Sequence, residues 1–542
     1  ALPARLDLAT VAAMAPYAEQ IAALNQQIGA VLPRESLKDA SGASQMDPKT
    51  QVSSLYGISM LEAAQHPLEA NVCLALVHEL GGEKEQHLIN VAIGAELNLR
   101  GDPALAAAQA AREAGNAPNS VLAAAASILG PRRQEAARQA MRELIDRFAS
   151  AGLTDAADVH FDLNKVETRN ASLFVSQSAD AKAHAMLAAL KARAVSSVFV
   201  RYLESLGAPP SADAVLAAIT CTLAWGPLGR KRISRLTAES LPWWLRLFGA
   251  LIGASAPAPQ HEADRFCGIA QRDILERRSL GEVAFVALLG FEPQSRDLFA
   301  FQTLVGLLLT NGPGAISAQG AKGAVSADGP DSPERVQLNK CLTGFLTHSG
   351  YTHGGNGYEG IAFLIEQFRD QRLRDPADPL HGIDLRALAQ KYVESYSRYK
   401  STRKSEGSDI QKIPGVNHPV FKDKPVNFDP REVFIRELFA KRGEYNAFHE
   451  YYSALVQALF DAGVSRNVYC VNIDAVIAAL LLKMLWQPFA AGSYPAHALE
   501  TAAFTIFLYP RMLGCAAEID DHMNRGRSMD TRTPASQCRF VA

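Results

Sequence analysis

Three residues able to move protons stand in tight local settings in the later part of this 542-residue chain. His353 lies in Tyr351-Thr-His-Gly-Gly-Asn-Gly357, His418 ends Gly415-Val-Asn-His418, and Asp474 ends Val471-Asn-Ile-Asp474. A carboxylate accepts a proton, and an imidazole donates one or steadies a developing negative charge. Two histidines and an aspartate, each in a compact loop or at a helix start, make a carbon acid/base site. Each element alone has a plainer reading. Gly354-Gly355 suits a turn, His418 a capping or surface histidine, Arg511 and Arg532 rim charges, and the mixed-charge run from Lys400 to Lys412 a solvated loop. Their joint order within one half favours chemistry.

The elements that must position these residues read as helices. Ala104 to Ala114, Gln134 to Phe148, Ala181 to Leu206 and Leu385 to Tyr399 are rich in helix-forming residues, with apolar positions three and four apart. Period-2 alternation of β-branched residues is almost absent, so the spacing predicts an all-α protein. Breaks fall at Gly207-Ala-Pro-Pro210, Asn311-Gly-Pro-Gly314 and Ile413-Pro-Gly415. The most linker-like stretch, Gly253 to Gln260, sits near the middle, dividing the chain into 1–253, a linker at 254–265, and 266–542.

The two halves repeat one another. A shift of 261, set by placing Asp213 on Asp474, pairs Ala214 with Ala475, Trp225 with Trp486, Pro227 with Pro488, Glu239 with Glu500 and Gly253 with Gly514. Chance matching of alanine-rich helices would rarely place the tryptophan, proline and glycine in one register. Upstream the match is gapped. At the chemical positions the copies diverge. Arg133 or a neighbour stands opposite His353, Ala250 opposite Arg511, and His160 aligns only loosely with His418. Asp213 reads as a helix N-cap and the first copy as inactive scaffold.

Composition bounds the partners. Lysine plus arginine number 54 against 56 acidic residues, a net charge of −2, so no global field recruits nucleic acid or an anionic membrane. Seven cysteines, at 73, 221, 267, 341, 470, 515 and 538, form no Cys-x-x-Cys pair, which argues against a zinc site or disulfide framework and suits a reducing cytoplasm. The longest apolar run, Ala475 to Trp486, is broken by Lys483 and falls short of the ~20 residues of a membrane-spanning helix. No signal-peptide pattern opens the sequence, and no Walker or Rossmann glycine pattern is present.

The order His353, His418, Asp474 resembles the catalytic set of the citrate synthase family. Over Leu275 to Pro534 the chain is most similar to the citryl-CoA lyase module of ATP-citrate lyase, through Asn311-Gly-Pro-Gly-Ala-Ile-Ser317, Ile413 to His418, Val471 to Asp474, Arg511 and Asp530-Thr-Arg-Thr-Pro534. The resemblance implies two tandem helical domains forming an internal pseudo-dimer, open to further homo-oligomerisation. It implies a coenzyme A thioester as substrate, with no covalent cofactor and no metal. Asp474 would be the base for the acyl α-proton, His353 the donor at the thioester oxygen, and His418 the donor at the carbonyl of a 2-oxo acid. Asn311, Arg431, Arg511 and Arg532 would bind that acid's oxygens, since guanidinium forks match carboxylates. Lys422, Lys424, Gly354 and Gly355 would meet coenzyme A. In a pseudo-dimer Arg532 would reach toward the first copy, and Arg265 or Arg272, nearest the 261-shifted position, would approach His418 and Arg511. Two residues depart from the family pattern: Asn311 stands where a histidine is usual, and Pro419 follows the second histidine.

These residues serve either direction, condensation or citryl-CoA-like cleavage. A non-catalytic CoA-binding regulatory or scaffold subunit that kept the fold is the third reading, favoured by Asn311.

Overall fold

The computed structural model describes residues 41–351, 353–417, 428–464 and 470–529. Among them the architecture is all-α. Strand pairing is confined to a three-stranded antiparallel sheet (Ser44–Met46, Ser53–Leu55, Ile58–Ser59) and the small hairpin Arg265–Phe266 with Ile269–Ala270.

The helices follow one another in the same order twice. A shift of 212 carries Leu68–Val77 onto Leu280–Leu289 and the start of Glu83–Gly94 onto that of Ser295–Leu307. A shift of 220 carries the start of Pro118–Ile128 onto that of Leu338–Thr347, and a shift of 261 lays Ala212–Gly229 on Ile473–Ala490, end to end. The same shift brings Arg235, which opens Arg235–Ser255, onto Ala496, which opens Ala496–Arg525. The jump from 220 to 261 falls in the segment between Phe368 and Ile473, where Leu385–Ser405, Pro430–Lys441 and Ala447–Asp461 occur. In the first half only Ala181–Ala192 and Val198–Ser205 are α-helical between Ser150 and Ala212. The second half is therefore longer than the first beside its chemical residues.

Several backbone approaches repeat as well. A Cβ on Gly253 would strike the Leu97 carbonyl oxygen, and one on Gly514 would strike that of Leu309. The helices pack across the halves reciprocally. Leu68–Val77 lies on Ala496–Arg525 while Leu280–Leu289 lies on Arg235–Ser255, and Pro118–Ile128 lies on Leu338–Thr347. Asn119 donates to the Leu346 and Ser349 carbonyls at 3.1 and 2.9 Å, and Asn339 donates to the Ala126 carbonyl at 3.2 Å. The shift of 220 that maps Asn119 onto Asn339 also maps Ala126 onto Leu346, so the two bonds are counterparts.

Some sequence expectations change. The helix expected over Ala181–Leu206 is two helices, Ala181–Ala192 and Val198–Ser205, broken where Ala194 takes φ 53° and Ser197 caps the second. The first residues of the expected linker are helical, since Arg235–Ser255 runs through Gly253 and Ala254. Three helices, Ala212–Gly229, Ile473–Ala490 and His497–Arg525, are long and apolar enough to cross a membrane by length and composition, contrary to the estimate from single apolar runs. Most of each apolar stretch is buried within the protein, and a central helix surrounded by others is apolar all round. Among the described residues no group of three or more His, Cys, Asp or Glu is disposed to hold a metal ion.

Candidate active site

The second half gathers its chemical residues where three helices meet. Helix Asn356–Phe368 packs against Ile473–Ala490 through Gly357 and Gly360, whose added Cβ atoms would crowd Ile477 and Ala478 at 3.0 and 2.8 Å. This contact sets the loop carrying His353 against the helix start carrying Asp474. Gly354 has φ 122°, and a side chain there would collide with the Phe507 ring. A Cβ on Gly355 would stand 2.9 Å from the Tyr351 Cα.

Asn472 caps helix Ile473–Ala490, accepting from the amides of Asp474 and Ala475 at 3.0 and 3.2 Å. Asp474 thus sits in the first turn, at the positive end of the helix dipole. The loop before His418 is sewn to the same helix start. Asn417 donates its amide to Cys470 and Asn472 donates its own to Gly415, while the Asn472 side chain donates to the Asn417 carbonyl at 2.7 Å. Gly415 has φ 75°, and a Cβ there would lie 2.6 Å from that of Ala475. His418, Lys422, Lys424 and Arg532 lie outside the described residues.

His353 is half-buried, with Nε2 3.0 Å from the hydroxyl of the fully buried Ser317 and its ring edge-on to Phe507 at 5.4 Å. Burial, aided by the Arg511 charge, pushes its pKa down to about 3, so the imidazole is neutral at ordinary pH. Arg511 is 3% exposed, its guanidinium 5.0 Å from the Phe507 centroid. Its Nε has no hydrogen-bond partner, and among the described residues it forms no ion pair. Burial lowers its pKa to about 10, with Cys515 and Glu518 opposing and Arg431 adding to the shift. A buried guanidinium with an unsatisfied N–H is costly unless an anion completes it.

Arg431 is held differently. Its Nε and Nη2 donate to the two oxygens of buried Asp429 at 2.9 and 2.8 Å, leaving Nη1 3.5 Å from Asn311 Oδ1. Burial works against its charge, but Asp429 and then Asp474 outweigh it and raise its pKa. Asp429 also caps helix Pro430–Lys441 and accepts from the Ile473 amide at 3.2 Å, tying Arg431 to the start of the Asp474 helix. Sequence reasoning gave no role to Asp429, although Asp-Pro before a helical run is a start signal. Nor did it single out Ser317 or Phe507, though Phe507 stands one turn before Arg511 on the same helix.

His353, Asn311, Arg431, Arg511 and Asp474 are thus linked by contact or by charge. Arg265 stands elsewhere. It is exposed, donates to the Gly268 carbonyl at 2.8 Å within its own hairpin, and has its carbonyl held by Asn98 of the first half. Arg272 is likewise exposed and pairs with Glu276. The 261 shift that relates Arg532 to this stretch runs past Ala496–Arg525, whose counterpart Arg235–Ser255 ends nine residues sooner.

The first half fills the corresponding corner. Arg246, at the position matching Phe507, reaches Asp213 at 2.5 Å and Glu96 at 3.3 Å and donates to the Arg133 carbonyl and Gln134 Oε1. Ser211, not Asp213, is the N-cap. His160 lies in an exposed turn with its amide on Asp158.

No protein-family model matches the chain, and no curated protein matches it. Solved structures do. The chain is similar to citrate synthases. It resembles that of Pyrobaculum aerophilum at 14% identity and TM-score 0.49, over 94% of this chain and 91% of that one. The citrate synthase of Thermoplasma acidophilum, solved with carboxymethyl coenzyme A and oxaloacetate, matches at 16% identity and TM-score 0.47, over 94% and 96%. A citryl-CoA lyase from Hydrogenobacter thermophilus matches over 51% of this chain and 89% of its own, at 17% identity and TM-score 0.38.

Proposed function

We propose that the second half makes or breaks a carbon–carbon bond between an acyl-CoA and a 2-oxo acid, in the manner of citrate synthase. The observation that carries this reading is a neutral His353 beside a buried Arg511 that lacks an anionic partner among the described residues. A neutral imidazole suits hydrogen-bond donation to an oxygen gaining charge, because it need not surrender a full proton. In the tautomer with Nδ1 protonated, Ser317 donates to Nε2 and Nδ1–H is the donor. Asp474 takes the acyl α-proton, and the enolate it leaves is steadied by His353. Arg511 receives a carboxylate of the oxo acid, and Arg431, fixed by Asp429, offers Nη1 together with Asn311.

The first half serves as scaffold in this reading, and the two halves pair as an internal pseudo-dimer, supported by the matched Asn119 and Asn339 contacts. The test is exchange of acetyl-CoA methyl protons into deuterated water. Exchange that disappears in Asp474→Asn supports the reading, and no exchange in the intact protein under any oxo-acid condition overturns it. Release of free CoA during condensation would identify a synthase, and cleavage of a citryl-CoA-like thioester without hydrolysis a lyase.

A further inference from the structure

A cavity lies between the halves, and none of the His353 cluster lines it. It has a volume of about 490 Å³ and is bounded by Pro118–Ile128, the connection after Ser255, the end of Leu280–Leu289, and the first turns of Ala496–Arg525. That size is within the ~300–1,000 Å³ usual for pockets that bury a small ligand. Its walls are largely apolar, including Val121, Leu122, Val286 and Leu289.

The polar groups lining it are unbalanced. Among the described residues that line it, Arg112 is the permanent cation, His497 is a second basic group, and no aspartate or glutamate is present. The Arg112 guanidinium donates only to neutral oxygens, Gln109 Oε1 at 2.9 Å and the Ala254 and Ser255 carbonyls at 2.8 and 3.4 Å, and burial alone lowers its pKa. An apolar cleft with one half-buried, uncompensated cation at its edge complements an apolar chain ending in one negative charge.

We propose that this inter-half cavity binds a medium-chain monocarboxylate, its chain among Val121, Leu122, Val286 and Leu289 and its carboxylate on Arg112. The occupant would touch the face of Ala496–Arg525 that carries Ala498, Thr501 and Thr505. Phe507 projects from the opposite side of that helix toward His353, so the proposed site is separate from the reacting groups and does not depend on their role.

Calorimetric titration of the full-length protein with decanoate, below its micellar range, tests this. One saturable site is expected, with decanol bound more weakly and decyltrimethylammonium not bound. Arg112→Gln should weaken decanoate about tenfold or more, the worth of a charged hydrogen bond. Ala498→Trp, which fills the cavity without touching Arg112, should abolish binding, and His353→Ala should leave it unchanged. Failure of decanoate to saturate, equal binding of decanol, or full binding by a folded Ala498→Trp protein would each overturn the proposal. Loss of binding in His353→Ala would place the ligand at the other site and overturn it too.

Discussion

Asp213 and Asp474 stand at the same place in equivalent helices, two residues past a capping Ser211 or Asn472, yet their surroundings differ. Around Asp213 the corner is closed, because Arg246 joins it to Glu96 and to the loop of Arg133. At the matched position the second half has Phe507, which cannot pair with a carboxylate and instead packs against His353 and Arg511. Ala250 likewise gives way to Arg511. One fold therefore holds two versions of a corner. In one, arginine and carboxylate satisfy each other; in the other, Arg511 is buried with no carboxylate paired to it among the described residues and a histidine is kept neutral. Stability favours the first arrangement, and a binding site requires the second.

The largest effects should come from making the corners alike. Asp474→Asn keeps size and hydrogen bonding but removes basicity, so methyl exchange should fall by ~10²- to 10⁴-fold, the usual loss for a general base. Asp213→Asn should leave exchange nearly intact while costing about 1–3 kcal/mol of stability in urea, since Arg246 loses one charged partner. Equal catalytic damage from both changes would end the distinction between the halves. Phe507→Arg imports the first half's residue, and its guanidinium should close on Asp474. Exchange should fall at least as far as in Asp474→Asn, with the protein still folded by circular dichroism.

A second separation should appear inside the active corner. His353→Ala should abolish methyl exchange, whereas Arg511→Gln should retain exchange without the second substrate and weaken oxo-acid binding, measured as a rise in KM. Normal exchange in His353→Ala would reduce its loop to a turn.

How much of this was legible in the sequence follows from how local each feature is. The helices around Asp213 and Asp474 were readable because helical period and a shared Trp-x-Pro survive in one stretch of chain. His353, Arg431 and Asp474 could be singled out by residue type and order. What closes or opens the corner was not legible, because Arg246 and Asp213 come from separate helices and Glu96 from the turn after Glu83–Gly94, and such contacts leave no spacing to detect. The choice of Arg265 and Arg272 has the same root: a shift valid within one helix was carried into a region where the halves differ in length.

The pairing of the halves offers a smaller, stability-based test. Asn119→Ala and Asn339→Ala each remove buried side-chain hydrogen bonding to the other half, while the Leu346 and Ala126 carbonyls keep their backbone donors Ser349 and Leu129, so each should cost about 0.5–1.5 kcal/mol in urea unfolding. If the halves are equivalent at this contact, the two losses should be alike; a large loss from one and none from the other would show that the match is positional only.

The smallest effect separates the two causes that keep His353 neutral. Its pKa is pushed down to about 3, first by burial and second by the Arg511 charge. Arg511→Gln removes the second cause and keeps the first, so the imidazole's NMR titration midpoint should rise while staying below the ordinary 6.5. The sign for stability follows from a depressed base. Above about pH 6.5 His353 is neutral folded or unfolded, and between 6.5 and about 3 the unfolded chain binds the proton more readily, so this residue's contribution is lost as the pH falls. The acid side of the stability profile should therefore be less steep in Arg511→Gln. A midpoint that does not move would mean the Arg511 charge is not felt at the imidazole. One that moves all the way to 6.5 would mean burial is not the leading cause, and the second half's corner would then be as open to water as the first half's is closed.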